Sequence, residues 1–235
     1  MLVMQASTKG GEVLFAVICD GMGGLQKGEV ASAAMIEAMA AWLRNTLPNM
    51  IEKGFDSARL RSEWKNIIDE LSDKISRYGV KSGMRLGTTM VAFLCIGSQY
   101  YISNIGDSRI YQIEQNNLYQ LTHDHTVVQR EIELGHLTPE QAEKDSRRSI
   151  LLQCIGAGDY VEPDFFTGLL KSGQVFMLCC DGFRHVVSSG EYCRHFGPQV
   201  LRDEQGMKTA LVNMTEEIKH RKETDNISAI LIKTI

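Results

Sequence analysis

The sequence has only four prolines, no long apolar run and no excess of positive charge. With 43% hydrophobic residues, a chain of 235 residues is too apolar for intrinsic disorder and long enough to bury a substantial core. Its 29 acidic and 25 basic residues give a net charge of −4, which argues against binding that depends on neutralising nucleic-acid phosphates. We therefore expect a globular protein with no nucleic-acid partner.

Signals for membrane insertion or secretion are also missing from the sequence. The longest apolar segments, residues 13–19 and 88–96, have the length of strands, whereas a membrane helix needs about 18 apolar residues. Residues 1–10 show no basic region followed by an apolar core, so no signal peptide is predicted. These features predict a cytoplasmic protein with no membrane partner.

The six cysteines include no CxxC pair and no Cys/His cluster with the spacing of a zinc site. A chain of this length does not need disulfides to stabilise its core. Several of the cysteines lie inside or beside apolar runs, which is typical of buried free thiols in a reducing compartment. The six are Cys19, Cys95, Cys154, Cys179, Cys180 and Cys193.

Hydrophobic periodicity predicts a few long helices and many short strands. Short turns between the middle strands imply antiparallel pairing, which favours an α+β layered sandwich over a doubly wound parallel sheet. Helices are expected at 29–47, 56–78 and 206–219, and strands at 12–19, 88–96, 99–105, 108–114, 118–121, 174–180 and 227–232.

Three aspartates lie at the ends or starts of predicted apolar strands. Asp20 and Asp181 each follow a strand and precede a glycine, and Asp225 comes shortly before the last strand. A single Asp-Gly after a strand is usually an ordinary turn. Several carboxylates mounted close together repel one another unless a cation lies between them, and oxygen ligands suit Mg²⁺ or Mn²⁺ better than Zn²⁺. The sequence therefore favours a divalent-metal site.

Six motifs occur in a fixed order across nearly the whole chain. Together they resemble the metal-dependent serine/threonine protein phosphatases, the type 2C or PPM family, in its bacterial form. They are residues 15–24 with Gly28-Glu29-Val30-Ala31-Ser32, then Gly87-Thr88-Thr89, Asn104-Ile105-Gly106-Asp107-Ser108-Arg109, Leu121-Thr122-His123-Asp124-His125-Thr126, Cys180-Asp181-Gly182 and Asp225-Asn226.

The resemblance implies a fold as well as a function. It implies a four-layer αββα sandwich, in which helices flank two antiparallel sheets, as a single phosphatase domain over residues 1–235. The polar and charged segment 123–149 would be an insertion called the flap, beside the active site, with helical stretches at 126–134 and from Thr138 onward. The flap either grips the phosphopeptide through its arginines or is an exposed helix pair without a specific contact.

The resemblance also assigns metal ligands. Asp20 would bridge two metal ions with the Gly21 carbonyl on the second ion, and Asp181 and Asp225 would hold the first ion. Asp124 would join Asp181 at a third ion. The cofactors would be two or three Mn²⁺ or Mg²⁺ ions, and a metal-bridged water would attack phosphorus without a protein nucleophile. Asp20, Asp181 and Asp225 are the predicted catalytic residues.

Other polar residues of these motifs have structural interpretations too. Asp107 and Arg109 are expected to fix a tight turn between two strands rather than to touch the substrate. His123 and His125 are expected at the surface or beside the metal ligands, with proton transfer as the alternative. Asp124 either binds the third ion or caps the helix that follows it.

The sequence departs from the family pattern at its beginning. Family members usually start with a strand carrying an arginine that binds the substrate phosphate, followed by an Asn-Glu/Gln-Asp triplet that supports the second metal ion. Here Met1 falls just after the expected triplet, and the first arginine is Arg44. A truncated chain, a natural variant with weaker second-metal binding and a non-catalytic binding module all remain open. We expect the first N-terminal strand of the family to be missing.

The leading hypothesis is metal-dependent hydrolysis of phosphoserine and phosphothreonine in phosphorylated proteins, by an enzyme that opposes a Ser/Thr kinase. The competing hypothesis is a catalytically impaired phosphatase-like domain that binds a phosphoprotein or a regulatory partner. We expect a monomer or weak self-association. The sequence does not identify the target protein.

Overall fold

The computed structural model describes residues 1–8, 11–22, 28–158 and 160–235. The strands in this part of the chain are β1 (Leu2–Thr8), β2 (Gly11–Ile18), β3 (Gly21–Met22), β4 (Gly87–Thr88), β5 (Met90–Ile96), β6 (Gln99–Ile105), β7 (Arg109–Ile113), β8 (Leu118–Gln120), β9 (Asp164–Leu169), β10 (Val175–Cys179) and β11 (Ala229–Lys233). They form an antiparallel five-stranded sheet in the order β1-β2-β5-β6-β9 and an antiparallel four-stranded sheet in the order β11-β10-β7-β8. A short ladder pairs β3 with β4.

Long helices cover the outer faces of both sheets. The helices are α1 (Gly28–Asn45), α2 (Leu47–Glu52), α3 (Ser57–Lys81), α4 (Val127–Glu133), α5 (Pro139–Ala142), α6 (Asp181–Arg184), α7 (Ser189–Phe196) and α8 (Glu204–His220). Of those in the described ranges, none combines the length and the apolar character that a bilayer-crossing helix requires.

Strand β2 shows how the sequence produces two hydrophobic cores. Because side chains alternate along a strand, Ala16 and Ile18 pack into the core between the two sheets, while Phe15 and Val17 pack into a second core under the helices. All four side chains are at most 1% exposed. Because β2 is apolar on both faces, it can lie between the two hydrophobic cores.

Aromatic side chains join the outer helices to the sheets. Trp42 of α1 and Trp64 of α3 meet edge to face with ring centroids 5.6 Å apart, and Phe15 of β2 lies 6.1 Å from Trp64. On the opposite side, Tyr192 and Phe196 of α7 belong to the core that contains the four-stranded sheet. The predicted four-layer αββα sandwich is confirmed.

Most predicted elements are present, with shifted ends. The helix expected over 29–47 ends at Asn45. Pro48 lies in the first turn of the separate helix α2, where backbone N–H groups have no acceptor within the helix, so its missing N–H loses no hydrogen bond. Asp56 caps α3 as predicted, since its carboxylate accepts from the backbone N–H groups of Ala58 and Arg59. Strands β1 and β9 and helix α7 were not expected from the sequence, nor were the shorter elements β3, β4, α2 and α6.

The flap contains both of its predicted helical segments. Thr126 caps α4 by accepting from the backbone N–H of Gln129, and Thr138 forms a capping box with Gln141 at the start of α5. Arg147 pairs with Asp145 inside the flap and is largely exposed. The two interpretations of the flap arginines therefore remain predictions.

All six cysteines are free thiols, and all but Cys19 are buried. The prediction that the cysteines are free thiols is confirmed.

Strands β1 and β11 each lie at the edge of a sheet. Among the described residues, β1 pairs with β2 and β11 pairs with β10. The expected absence of an earlier N-terminal strand stays a prediction.

Candidate metal centre and active site

The three strand-end aspartates converge from both sheets. Asp20 lies two residues after the end of β2 in the five-stranded sheet, Asp181 opens α6 after β10 of the four-stranded sheet, and Asp225 precedes β11. Oxygen atoms of Asp20 and Asp181 lie within 4.8 Å of each other and of the Cys180 sulfur. The charges of Asp181 and Asp225 both act on Asp20. The structure thus brings together three of the predicted ligands.

Electrostatics at Asp20 reveal an excess of negative charge. Burial, together with the charges of the neighbouring carboxylates of Asp181, Asp225 and Asp107, raises the pKa of Asp20 to about 7. Asp20 and Asp181 are half-buried and Asp225 is exposed, and oxygen donors that repel one another in this way fit a hard divalent cation. The donor set therefore suits Mg²⁺ or Mn²⁺.

Close backbone packing holds the Asp181 and Asp225 segments together. A Cβ atom built on Gly182 would lie 2.4 Å from the Asn226 carbonyl oxygen and 3.1 Å from Cβ of Asp225, so only glycine fits there. The Cys180 thiol donates to the Asn226 carbonyl and accepts from the Ser228 N–H. Burial raises the pKa of Cys180 to about 12, so this thiol acts as a structural link rather than a nucleophile.

The Gly87-Thr88-Thr89 motif fixes the backbone of Asp20. Thr89 donates its N–H to the Asp20 carbonyl at 2.8 Å, and its hydroxyl accepts the Asp20 N–H at 3.1 Å. The Thr88 hydroxyl donates to the same carbonyl at 2.9 Å. The Thr89 hydroxyl also contacts that of Ser108 at 2.9 Å. The motif therefore sets the position from which the Asp20 side chain projects.

Gly21 lies at a close approach between two backbone segments. A Cβ atom on Gly21 would lie 2.1 Å from the carbonyl oxygen of Gly28 at the start of α1. Gly23 and Gly24 of the same motif lie outside the described residues. The carbonyl of Gly21 remains a predicted metal ligand.

Replacing Gly21 by alanine is expected to displace the segment after Asp20, because the new methyl group has no room. We expect a loss of about 1–3 kcal/mol in the free energy of unfolding and weaker Mn²⁺ binding. Urea denaturation and calorimetric Mn²⁺ titration measure the two effects. Gly190→Ala is the matched control, since a Cβ there meets nothing within 4 Å. Equal stability of the two variants would contradict this packing argument.

Asp107 is a site residue that the sequence interpretation placed only in a turn. Its carboxylate is 10% exposed and lies 3.3 Å from Nη2 of Arg184 on α6. Burial raises the pKa of Asp107 to about 6 even though Arg184 opposes the shift, and the charge of Asp181 adds to the rise. Asp107 thus belongs electrostatically to the carboxylate group around Asp20. The burial of Asp107 is the feature that identifies it as a site residue, and the sequence alone does not reveal that burial.

Asp124 makes a different set of contacts. Arg109 holds its carboxylate through three hydrogen bonds of 2.7–3.0 Å, and Gln120 donates to it at 2.9 Å. Asp124 does not cap the following helix, because Thr126 does so. Among the described residues, Asp124 is also not one of the close ligand group formed by Asp20 and its neighbours. Its predicted role at a third metal ion remains a prediction.

The two flap histidines differ in environment. His123 is exposed and pairs with Glu133 of α4, as the surface interpretation predicted. His125 is buried, and its Nδ1 accepts the Gly106 N–H at 3.3 Å while its Nε2 lies 3.2 Å from Asp164. Because Nδ1 is occupied by a donor, the neutral imidazole carries its proton on Nε2 and donates it to Asp164. His125 thus links the flap to β9.

The raised pKa of Asp20 predicts how stability depends on pH. Between its unfolded value of 3.8 and its folded value of about 7, the metal-free native protein binds more protons than the unfolded chain. The free energy of unfolding therefore falls as pH rises through this window. In EDTA, we expect Tm to fall from pH 5 to pH 8 more steeply in the natural protein than in Asp20→Asn.

Mn²⁺ should reverse this trend, because it binds the ionised carboxylates and stabilises the native state. We expect the gain in Tm on adding Mn²⁺ to be larger at pH 8 than at pH 5. Scanning calorimetry across this pH range measures both effects. Parallel pH profiles for the natural protein and Asp20→Asn would show that Asp20 does not titrate as described.

Known proteins are similar to this chain in both sequence and fold. A family model described as protein phosphatase 2C matches residues 3–231. Serine/threonine phosphatase stp of Listeria welshimeri is 32% identical over 222 residues, which are 92% of this chain and 83% of that protein. The S. agalactiae serine/threonine phosphatase has a TM-score of 0.86 at 26% identity, covering 100% of this chain and 92% of that chain. A catalytic domain of the serine/threonine protein phosphatase PstP in complex with two manganese ions has a TM-score of 0.72 at 25% identity, covering 97% of this chain and 89% of that chain.

These likenesses extend well beyond the site residues. The family model spans both sheets and the outer helices, from β1 into β11. The sequence-based identification of the family is confirmed. This chain belongs to the protein phosphatase 2C family.

Proposed function

We propose that this chain hydrolyses phosphoserine and phosphothreonine in phosphorylated proteins, with a divalent-metal centre on Asp20, Asp181 and Asp225. The observation that supports this most directly is the convergence of these three carboxylates; burial raises the pKa of Asp20, and the charges of the other two add to the rise. Holding the half-buried carboxylates of Asp20 and Asp181 close together is costly unless a cation neutralises them. The manganese-bound relative supports the same centre in this chain.

Some residues of this chain would bind the cations directly, and others position those ligands. Asp20, the Gly21 carbonyl, Asp181 and Asp225 would supply oxygen ligands, and Thr89 keeps the Asp20 backbone in place. Divalent cations held by these residues would supply an activated water and would neutralise the charge that develops on the phosphoryl group. Hydrolysis joins the water oxygen to phosphorus, breaks the phosphorus–oxygen ester bond and leaves a proton on the seryl or threonyl oxygen.

The competing hypothesis of an impaired binding domain is not favoured. That hypothesis was motivated by the expected absence of the family's N-terminal arginine and acidic triplet. The proximity of the three carboxylates and the threonine contacts to the Asp20 backbone support a metal-dependent enzyme instead. The relatives reported above are described as phosphatases. An impaired domain would bind a phosphopeptide without releasing phosphate.

Phosphate release from synthetic phosphopeptides tests this function. We expect turnover of phosphoserine and phosphothreonine peptides with Mn²⁺ or Mg²⁺, and none in EDTA until the cation is restored. A phosphotyrosine peptide of the same sequence serves as the comparison for residue preference. Binding of the peptide with no phosphate release at saturating Mn²⁺ would support the binding-domain alternative instead.

We also propose a biological setting for the enzyme. It opposes a Ser/Thr kinase, acts as a monomer or with weak self-association, and works in the cytoplasm. The six free cysteines support a reducing compartment. Sedimentation at increasing protein concentration tests the oligomeric state.

A further inference from the structure

A histidine lies between two segments that contain candidate metal ligands. His185 directly follows α6, and its Nε2 is 3.6 Å from Oδ2 of Asp181. Its Nδ1 is 3.5 Å from Oε2 of Glu223. The three side chains are 20%, 16% and 10% exposed, respectively. Water therefore screens these contacts less than it screens contacts at the open surface.

Glu223 connects the histidine to the segment that contains Asp225. Its Oε1 accepts the backbone N–H of Thr224 at 2.8 Å and that of Asp225 at 3.0 Å. Burial works against ionisation, but these two N–H groups and His185 keep the pKa of Glu223 below its usual value. One carboxylate thus holds both the Asp225 backbone and the imidazole ring.

The remaining contacts show why this connection affects ligand orientation. Oδ1 of Asp181 accepts the N–H of Gly182 at 2.7 Å, and Oδ1 of Asp225 accepts the N–H of Asn226 at 2.7 Å. The local backbone therefore restrains one oxygen of each aspartate. His185 faces the other oxygen of Asp181, and Glu223 restrains the main chain of Asp225.

We propose that His185 and Glu223 form a positioning pair that sets the orientation of Asp181 and Asp225 for divalent-cation binding. This inference rests on the metal centre proposed above. Outer partners of ligating groups fix the geometry of those groups, and their loss typically weakens metal binding 10-fold to 100-fold. Without the imidazole, the carboxylates of Asp181 and Glu223 would also face each other without an intervening donor.

Calorimetric Mn²⁺ titration tests the pair without relying on turnover. We expect His185→Ala to raise the Kd for Mn²⁺ about 10-fold to 100-fold. Glu223→Gln keeps an oxygen for the two backbone N–H groups but removes the charge that faces His185, so we expect a smaller rise in Kd, about 3-fold to 10-fold. His195→Ala, an exposed histidine of α7, is the matched control and should leave Kd unchanged.

The double variant separates a working pair from two independent contacts. If the two residues act as a unit, His185→Ala with Glu223→Gln should bind Mn²⁺ no more weakly than His185→Ala alone. Multiplied effects would overturn the proposal. A folded His185→Ala variant with Kd within twofold of the natural protein would overturn it as well. If His185→Ala does not fold, Glu223→Gln decides, and an unchanged Kd in that variant rejects the pair.

Asp181→Ala distinguishes failure of this inference from failure of the metal centre. Unchanged Mn²⁺ binding in Asp181→Ala would reject the centre itself. Lost binding in Asp181→Ala together with unchanged binding in His185→Ala and Glu223→Gln would reject only the positioning pair. Lost binding in Asp181→Ala together with weakened binding in the other two variants supports both.

Discussion

Replacing Asp181 by alanine is expected to lower Mn²⁺-dependent kcat/KM about a thousandfold. Metal ions contribute several kcal/mol of transition-state stabilisation, and each 1.36 kcal/mol corresponds to a factor of ten in rate. The fold should survive, because the removed charge repels Asp20 and raises its pKa. We therefore expect metal-free Asp181→Ala at pH 8 to melt no lower than the natural protein.

Phosphate release from a phosphothreonine peptide, measured across Mn²⁺ concentrations, checks this expectation. Asp69→Ala is the matched control, because Asp69 is an exposed acid of α3 that pairs only locally with Lys65. A folded Asp181→Ala variant with more than about a tenth of the natural activity would show that Asp181 is not a required ligand. A variant that loses activity because it unfolds would contradict the predicted relief of repulsion.

Removing Arg109 is expected to destabilise the fold by about 3–5 kcal/mol, because the buried carboxylate of Asp124 then keeps only Arg184, at 3.7 Å, as a cationic partner among the described residues. Asp124 is 5% exposed and receives three of its hydrogen bonds from Arg109. Arg109 also donates to the Tyr111 hydroxyl at 2.7 Å, and that contact is lost too. In a domain of this size, we expect Arg109→Met to lower Tm by about 10 °C or more.

An exposed ion pair of similar length provides the control for Arg109. Arg147 lies 2.8 Å from Asp145, compared with 2.7 Å for Arg109 and Asp124, but the Arg147 side chain is 45% exposed. Because exposed pairs contribute little, Arg147→Met should leave Tm unchanged within error. The double variant Arg109→Met/Asp124→Leu should recover part of the lost stability, since it removes the buried carboxylate that has lost its closest cationic partner. No recovery would show that packing, rather than charge, explains the effect of Arg109→Met.

Motifs and periodicity made much of the fold predictable. Strand β6 was predicted with the same ends, and Asp56 was identified as a possible cap of α3 because local sequence determines both features. Strand β9 was missed because its side chains are mostly half-exposed and alternate weakly. Helix α7 was missed because it is short and held by tertiary packing of Tyr192 and Phe196.

The site was predictable only where the ligands lie at strand ends. Asp20, Asp181 and Asp225 could be grouped from sequence because each adjoins an apolar strand. Asp107 also belongs to the group, but only its burial in the fold reveals this. Asp124 is bound by Arg109, and this contact depends on pairing between segments that are distant in sequence. His185 and Glu223 are 38 residues apart in sequence, and nothing local indicates that they face each other.

Manganese in crystals of this protein tests the central claim most directly. Anomalous difference density from crystals grown with Mn²⁺ should show two or three peaks within ligand distance of Asp20, Asp181 and Asp225. Crystals of Asp181→Ala grown in the same solution should lose at least one of these peaks. Full Mn²⁺ saturation in solution with no anomalous peak near these three carboxylates would contradict the metal centre.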